Sequence, residues 1–453
     1  MLSPALAGQF NQRDLTALSQ AFFDSSAYWG TSRWLSKNNH YAFDSVKKLS
    51  EDFNPGGRLK HKHLREYIAA STIVHCLDGW SYLGRAVNAQ LNGDNDCARH
   101  LGYYSELRAA MSLLASHGIG VFSNEHIAVA HRGMCRRVAH VRHTPTRPSG
   151  PPTHQFVWDA LDSWAASADA KDTIMTVIRS GGQTLAEWSH HFAVTPSITS
   201  MLAKDWLRAW GLDISRIAAD REARNLSSYR PTRYSSSPPL GAQVVVGFLS
   251  RIWNACEPST DSPFAQLDRE IIRATLRRIF KGVEGRSANQ ARNRYALRID
   301  GLLHSLSPAP LKGATWRAYL LDSGPDRSRI LSFAAGTALP NDPNHSIQVL
   351  ARAILLLRIA TGSAERLLRS LPAGRRVDLD PLIDLFGQER CLWGLGGMPG
   401  SLNDLAKDPA DAGIAIDADL ANISSYSELW RRQPWPAAVF SSFERAGLWG
   451  MCG

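Results

Sequence analysis

The chain has 453 residues and a formal net charge of +10, and 41 of its 51 basic residues are arginine. A content of 44% hydrophobic and 20% charged residues excludes a disordered chain and predicts a globular protein of two or three domains. Because the planar arginine side chain suits phosphate and carboxylate groups, the positive charge favours a polyanionic partner. A GC-rich genome, which encodes arginine often, would give the same excess without such a partner.

The composition also predicts a cytoplasmic protein that makes no membrane contact. The N-terminus lacks the basic start and long apolar run of a signal peptide. The most apolar run, residues 349–360, is interrupted by Arg352 and Arg358, and is therefore too short and too charged to span a bilayer. The six cysteines have no paired spacing, which indicates reduced thiols. No cofactor is expected, since the glycine cluster at 394–400 lacks the lysine of a phosphate-binding loop.

Helical periodicity predicts a mainly α-helical fold of several bundles, with at most a small β-hairpin near residues 119–130. In chain order, helical patterns at 59–83 and 98–116 flank a tight turn at 92–95, which predicts an antiparallel helical hairpin. Proline-rich stretches at 144–152 and 235–239 indicate linkers. We therefore predict three domains: an N-terminal helical domain with the short hairpin at 1–143, a middle helical domain at 154–232, and a C-terminal helical domain at 240–453.

The segment Asp220-Arg-Glu-Ala-Arg-Asn-Leu-Ser-Ser-Tyr-Arg-Pro231 ends the middle domain. Asn225 and Tyr229 lie about one helical turn apart with Arg224 beside them, which is one way of gripping a phosphate. Residues 222–231 resemble the core helix of HEPN-type helical ribonucleases, as found in some bacterial proteins of defence loci. The alternative is an ordinary helix end with local ion pairs.

The resemblance implies a metal-independent endoribonuclease. In this family an arginine holds the scissile phosphate, a histidine moves protons, and the 2′-hydroxyl of the RNA attacks in line. By resemblance, Arg224 contacts the phosphate, Asn225 positions it, and Tyr229, or a histidine from elsewhere in the fold, donates the proton. Tyr229 stands where the family has its histidine, and a tyrosine with a pKa of about 10 is a poor base at neutral pH. Arg221 and Arg230 are predicted RNA contacts, and the resemblance also implies a homodimer.

A second pattern, at residues 184–210, is typical of a helix-turn-helix. Leu185 and Phe192 occupy apolar positions that would pack two helices together, and recognition of a DNA major groove would use Ser197, Ser200 and Lys204. The pattern departs from the motif at the turn, where Ala193 replaces glycine. An antiparallel helix pair inside a larger bundle is the alternative interpretation.

A basic loop follows the predicted hairpin. His131, Cys135, His140 and His143 have the residue types of a zinc site, but the surrounding arginines repel a dication, so no metal is expected. Arg136 and Arg137 are instead predicted to contact a phosphate backbone. On the preceding helix, Glu106 is predicted to pair with Arg65 or Arg108 and so to orient an active arginine. The alternative is an ordinary ion pair.

Together these patterns predict a bacterial protein that acts on nucleic acid, with RNA favoured over DNA. The leading hypothesis is a HEPN-like RNA-cleaving or RNA-binding effector of phage defence. The alternatives are a helix-turn-helix DNA-binding protein without enzymatic activity, and a structural subunit whose tryptophans and helical faces bind a protein partner.

Overall fold

Helices make up most of the part of the chain that the computed structural model describes. That part comprises residues 13–31, 33–138, 151–190, 192, 203–217, 220, 240–284, 288–306, 313–322, 329–339, 342–372, 375–376, 378–394 and 396–453. Most of each predicted linker lies outside it. The N-terminal third contains four helices among these residues: α1 (Leu15–Ser26), α2 (Ser45–Phe53), α3 (His61–Leu91) and α4 (Asn95–Ser116).

The remaining helices follow in chain order. Those of the middle third are α5 (Thr153–Ala165), α6 (Ala168–Val177), α7 (Leu185–His190), α8 (Ala203–Ala209), α9 (Ala242–Cys256), α10 (Ala265–Glu284) and α11 (Ala288–Ser305). Those of the last third are α12 (Gly313–Leu321), α13 (Arg329–Ala334), α14 (Asn344–Arg369), α15 (Asp380–Glu389), α16 (Lys407–Asp419), α17 (Tyr426–Arg432), α18 (Pro434–Phe440) and α19 (Glu444–Cys452). The predicted mainly α-helical class is confirmed.

The predicted hairpin of α3 and α4 is confirmed. Three residues connect the two long helices, which pack against each other along their length. Gly93 has a φ of 76°, a conformation that glycine adopts at little cost, and the Asp94 side chain caps α4 by accepting the backbone N–H of Cys97 at 2.9 Å. A local turn and a local cap therefore set the geometry of this pair.

Helix α14 is the central helix of the core. It packs against both α3 and α4, and every residue from His345 to Glu365 is buried. Among the described residues it is also the one helix that is long and apolar enough to cross a membrane by length and composition, but its apolar stretch is fully enclosed by protein. The arginines inside it are neutralised within the core: Arg358 binds both carboxylate oxygens of Asp268 at 2.7 Å. Such pairing is what buried charges require.

The sheet is larger than the predicted hairpin. Strands β1 (Ile119–Phe122) and β2 (Glu125–Ala130) form the expected antiparallel pair, and β3 (Met134–Arg137) adds a third strand beside β2. The exposed positions of β3, Met134 and Arg136, alternate with the buried Cys135 as in an edge strand. A second, two-stranded sheet joins β4 (Arg179–Ser180) to β5 (Gln183–Thr184).

Buried side chains from all three predicted segments contact one another. The indole of Trp158, in the middle segment, donates to the hydroxyl of Tyr103 on α4 at 3.1 Å. Trp80 on α3 stacks on Phe264 of the C-terminal segment, with ring centroids 5.9 Å apart. The division into three folding units stays a prediction. What matters for function is that α14 lies beside α4, because this brings together the charged groups described next.

Candidate functional site

The segment at 220–231 begins at Asp220, and Asp220 is bound to the central helix. Its carboxylate accepts a close hydrogen bond from Nη2 of Arg352 and lies 3.2 Å from Nε2 of His345. Both partners belong to α14, and the Asp220 side chain is only 12% exposed. The first residue of the segment is therefore anchored to the protein core.

Arg352 also binds a second carboxylate. Its Nε donates to Oε1 of Glu106 on α4 at 3.0 Å, and the Glu106 side chain is completely buried. The planar guanidinium can donate in two directions at once, which suits a cation placed between two acids. We call Glu106, Asp220, His345 and Arg352 the buried charge network.

Burial dominates the electrostatics of this network. It raises the pKa of Glu106 to about 8, with the attraction of Arg352 opposing the shift and the repulsion of Asp220 adding to it. Burial pushes the pKa of Arg352 down, but the carboxylates of Glu106 and Asp220 outweigh it, so the pKa is raised and Arg352 stays charged. When Glu106 carries a proton, Arg352 is paired with a single charged carboxylate, that of Asp220. The network can thus hold a proton at neutral pH.

Two polar atoms of the network have no hydrogen-bond partner among the described residues. They are Oε2 of Glu106 and Nδ1 of His345, and both are inaccessible to water. Buried polar atoms are nearly always hydrogen-bonded, so each of these two atoms has a hydrogen-bonding position that no described residue fills. They lie on the two helices that flank Asp220, from which the chain continues into residues 221–239.

Most of the residues predicted to contact nucleic acid lie outside the described residues. These are Arg221, Arg224, Asn225, Tyr229 and Arg230, together with Ser197 and Ser200 of the second pattern. Their roles stay predictions.

The described parts of the helix-turn-helix pattern belong to the helical bundle. Leu185, Phe192 and Trp206 are buried, and both α7 and α8 pack against α10. Lys204, the predicted DNA contact, forms an ion pair with Asp162 of α5 at 2.5 Å. A DNA phosphate would have to compete with this carboxylate for the lysine.

The two arginines predicted to contact phosphate differ in their surroundings. Arg136 is exposed on the outer face of β3. Arg137 points the other way, as strand alternation requires: it forms a close ion pair with Glu125, and its guanidinium lies 4.7 Å from the ring centroid of Phe53. Of the two, Arg136 is better placed for a phosphate.

The residues considered for zinc are only partly described. His140 and His143 lie outside the described residues, within which no group of three or more His, Cys, Asp or Glu side chains is arranged to hold a metal ion. Burial raises the pKa of Cys135 to about 12, so its thiol stays protonated at neutral pH.

The predicted partners of Glu106 are wrong. Arg65 donates instead to the carbonyl oxygen of Gly133, and Arg108 contacts Nδ1 of His75 at 3.0 Å and the carboxylate of Asp78 at 3.5 Å. The true partner, Arg352, is 246 residues away along the chain. Its signal in the sequence is an arginine inside an otherwise apolar helix, because such a charge requires a buried acid.

Comparison of the chain with protein-family models, with curated proteins and with solved structures finds no match.

Proposed function

We propose that the chain is a HEPN-like effector that binds and cleaves RNA through the segment beginning at Asp220, in the context of phage defence. The observation that supports this proposal best is the attachment of Asp220 to Arg352 and His345. An RNA-cleaving segment needs a fixed position, since in-line attack depends on the orientation of the reacting groups. Asp220 gives the start of the segment such a fixed point, four residues before Arg224.

The contact with Asp220 also places a histidine, His345, beside the first residue of the segment, which has no histidine of its own. In the proposed mechanism Arg224 grips the scissile phosphate and stabilises the charge that develops on it, while Asn225 positions it. The neighbouring 2′-hydroxyl loses its proton to solvent and attacks the phosphorus, the bond to the 5′-oxygen breaks, and a second proton passes to that leaving oxygen. His345 is the candidate donor besides Tyr229, because Asp220 lies 3.2 Å from its Nε2 and orients the imidazole at the start of the segment.

The test is cleavage of a labelled single-stranded RNA by the purified protein in the presence of a metal chelator. Wild type should give products that end in a 2′,3′-cyclic phosphate. Arg224→Ala should lower the rate by about 10²–10³-fold, as the loss of one charge-stabilising donor does elsewhere. The matched control is Arg251→Ala, which removes an exposed arginine of α9 and should leave the rate unchanged.

Two further measurements separate cleavage from binding. If neither wild type nor variant cleaves, but Arg224→Ala weakens RNA binding and flattens its dependence on salt, the protein binds RNA without cutting it. Equal cleavage by wild type and Arg224→Ala would refute the proposed site. His345→Gln should shift the pH profile of the rate if His345 transfers the proton, whereas a merely structural His345 would leave the shape of that profile intact.

A further inference from the structure

A pocket of about 430 Å³ lies near the N-terminal end of α3. Its walls come from α1, from the loop at 36–38, from the first turns of α3 and from the turn at 132–133. This volume falls within the range of roughly 300–1,000 Å³ that is usual for small-molecule sites. The pocket is therefore large enough for a ligand of the size of a nucleotide.

Positive charge dominates the lining. Lys37, Lys62, Arg65 and Arg132 face two carboxylates, those of Asp24 and Glu66. Lys37, Lys62 and Arg132 are exposed, and within the described residues none of the three forms an ion pair. Cations left without acidic partners around one concave surface are suited to bind an anion.

Glu66 offsets one of the four positive charges of the lining, and it also shapes the wall. Its carboxylate, 5% exposed, accepts hydrogen bonds from the backbone N–H and the hydroxyl of Ser36 and from the side-chain amide of Asn39 at 3.0 Å. These bonds hold the loop that carries Lys37 in place. The turn that carries Arg132 is held as well, because Gly133 donates its N–H to Asp14 at 3.1 Å. The pocket is thus built before a ligand arrives.

The other lining groups add hydrogen bonding and an aromatic surface. Nδ1 of His63 accepts the backbone N–H of His40 at 3.1 Å, so the neutral imidazole carries its proton on Nε2, which can donate. Tyr28 is 38% exposed at the rim and presents a ring on which a base can stack. Cations, a hydrogen-bond donor and an aromatic ring around one cavity match the phosphate and the base of a nucleotide.

We propose that this pocket binds a nucleotide, with Lys62, Lys37 and Arg132 on the phosphate and Tyr28 against the base. The inference goes beyond the proposed RNA-cleaving segment and does not depend on it. The nucleotide is either free in solution or the 5′-phosphorylated end of an RNA strand, and the two share the same recognised group.

The experiment is isothermal titration of the full chain with AMP, with a 5′-phosphorylated trinucleotide and with inorganic phosphate. The Lys62→Ala/Arg132→Ala double variant should bind the nucleotides at least about tenfold more weakly, the loss expected for one charge-assisted hydrogen bond. Lys47→Ala, an exposed lysine of α2 outside the pocket, is the matched control and should bind like wild type. Tyr28→Leu should weaken AMP but not inorganic phosphate.

Tighter binding of AMP than of the trinucleotide assigns a free nucleotide, and the reverse order assigns a strand end. The proposal is overturned if wild type binds neither nucleotide, or if the double variant, with an unchanged circular-dichroism spectrum, binds both as wild type does. The same titration in Arg224→Ala keeps the two proposals apart. AMP binding there should equal that of wild type, whether or not the segment binds and cleaves RNA.

Discussion

Removal of the cation from the buried charge network should cost far more stability than removal of a surface cation. In Arg352→Met the carboxylates of Glu106 and Asp220 lose their shared partner, and side-chain exposures of 3% for Arg352 and 0% for Glu106 leave no access for water. The loss of one partner of a buried ion pair costs about 3–5 kcal/mol. We expect a loss of that size in the free energy of unfolding at pH 8.

The control is Arg317→Met. Arg317 binds Asp300 in good geometry, at 2.6 Å, but the two side chains are 50% and 43% exposed, so solvent screens the pair and its removal should change the free energy of unfolding very little. Both variants are compared with wild type by urea denaturation, followed by tryptophan fluorescence. The penalty of Arg352→Met should shrink at pH 5, because an acid that has lost its cation can take up a proton there. If the two variants lose the same free energy at both pH values, the network does not have the buried charges described above.

The remaining predictions concern the pH response, the thiols and the packing. The pKa of Glu106, raised to about 8 in the folded state, gives a stabilising contribution that is complete below its unfolded pKa and lost as the pH rises through 8. Urea denaturation at pH 5, 6.5 and 8 should therefore show that the free energy of unfolding falls more steeply with pH in wild type than in Glu106→Gln. The two slopes should differ by at most about 1.4 kcal/mol per pH unit. Equal slopes would contradict the raised pKa. Cys391 is exposed whereas burial raises the pKa of Cys76 to about 12, so a thiol reagent at pH 7.5 should modify Cys391 first, and Cys391→Ser should abolish the fast phase. Gly84→Ala would place a Cβ 2.4 Å from a backbone carbonyl oxygen and should lower the free energy of unfolding by about 1–3 kcal/mol. Gly413→Ala, inside α16, would place a Cβ that meets no atom within 4 Å and should raise the free energy of unfolding by about 0.5–1 kcal/mol. Thermal melting of both variants checks the contrast.

The helical hairpin shows which parts of the fold can be predicted from local sequence patterns. The apolar spacing of α3 and α4 requires a buried face on each helix, and the short turn with Gly93 leaves few ways to connect them. Both features lie within a few residues of one another, so the pair could be predicted from the sequence alone. The third strand could not. Its four residues are too few to give a strand pattern by themselves, and β3 forms because β2 offers an open edge to it.

The residues of the candidate site also divide into those that the sequence indicates and those that only the structure brings together. The sequence indicated Arg224 by its neighbours. An arginine within an apolar helix also requires a buried acid, but the sequence alone does not show which acid it is. It named the wrong arginines for Glu106 because it could weigh only those nearby along the chain.

The sequence by itself determined the helical class, the hairpin of α3 and α4 and the excess of positive charge. Each of these depends on residues close together in the chain, where periodicity and turn chemistry act. Only the tertiary structure decided that Arg352 binds both Glu106 and Asp220 and that His345 lies beside Asp220. These contacts join residues more than a hundred positions apart. They form because a buried charge must find an opposite charge wherever the packing of the helices places one.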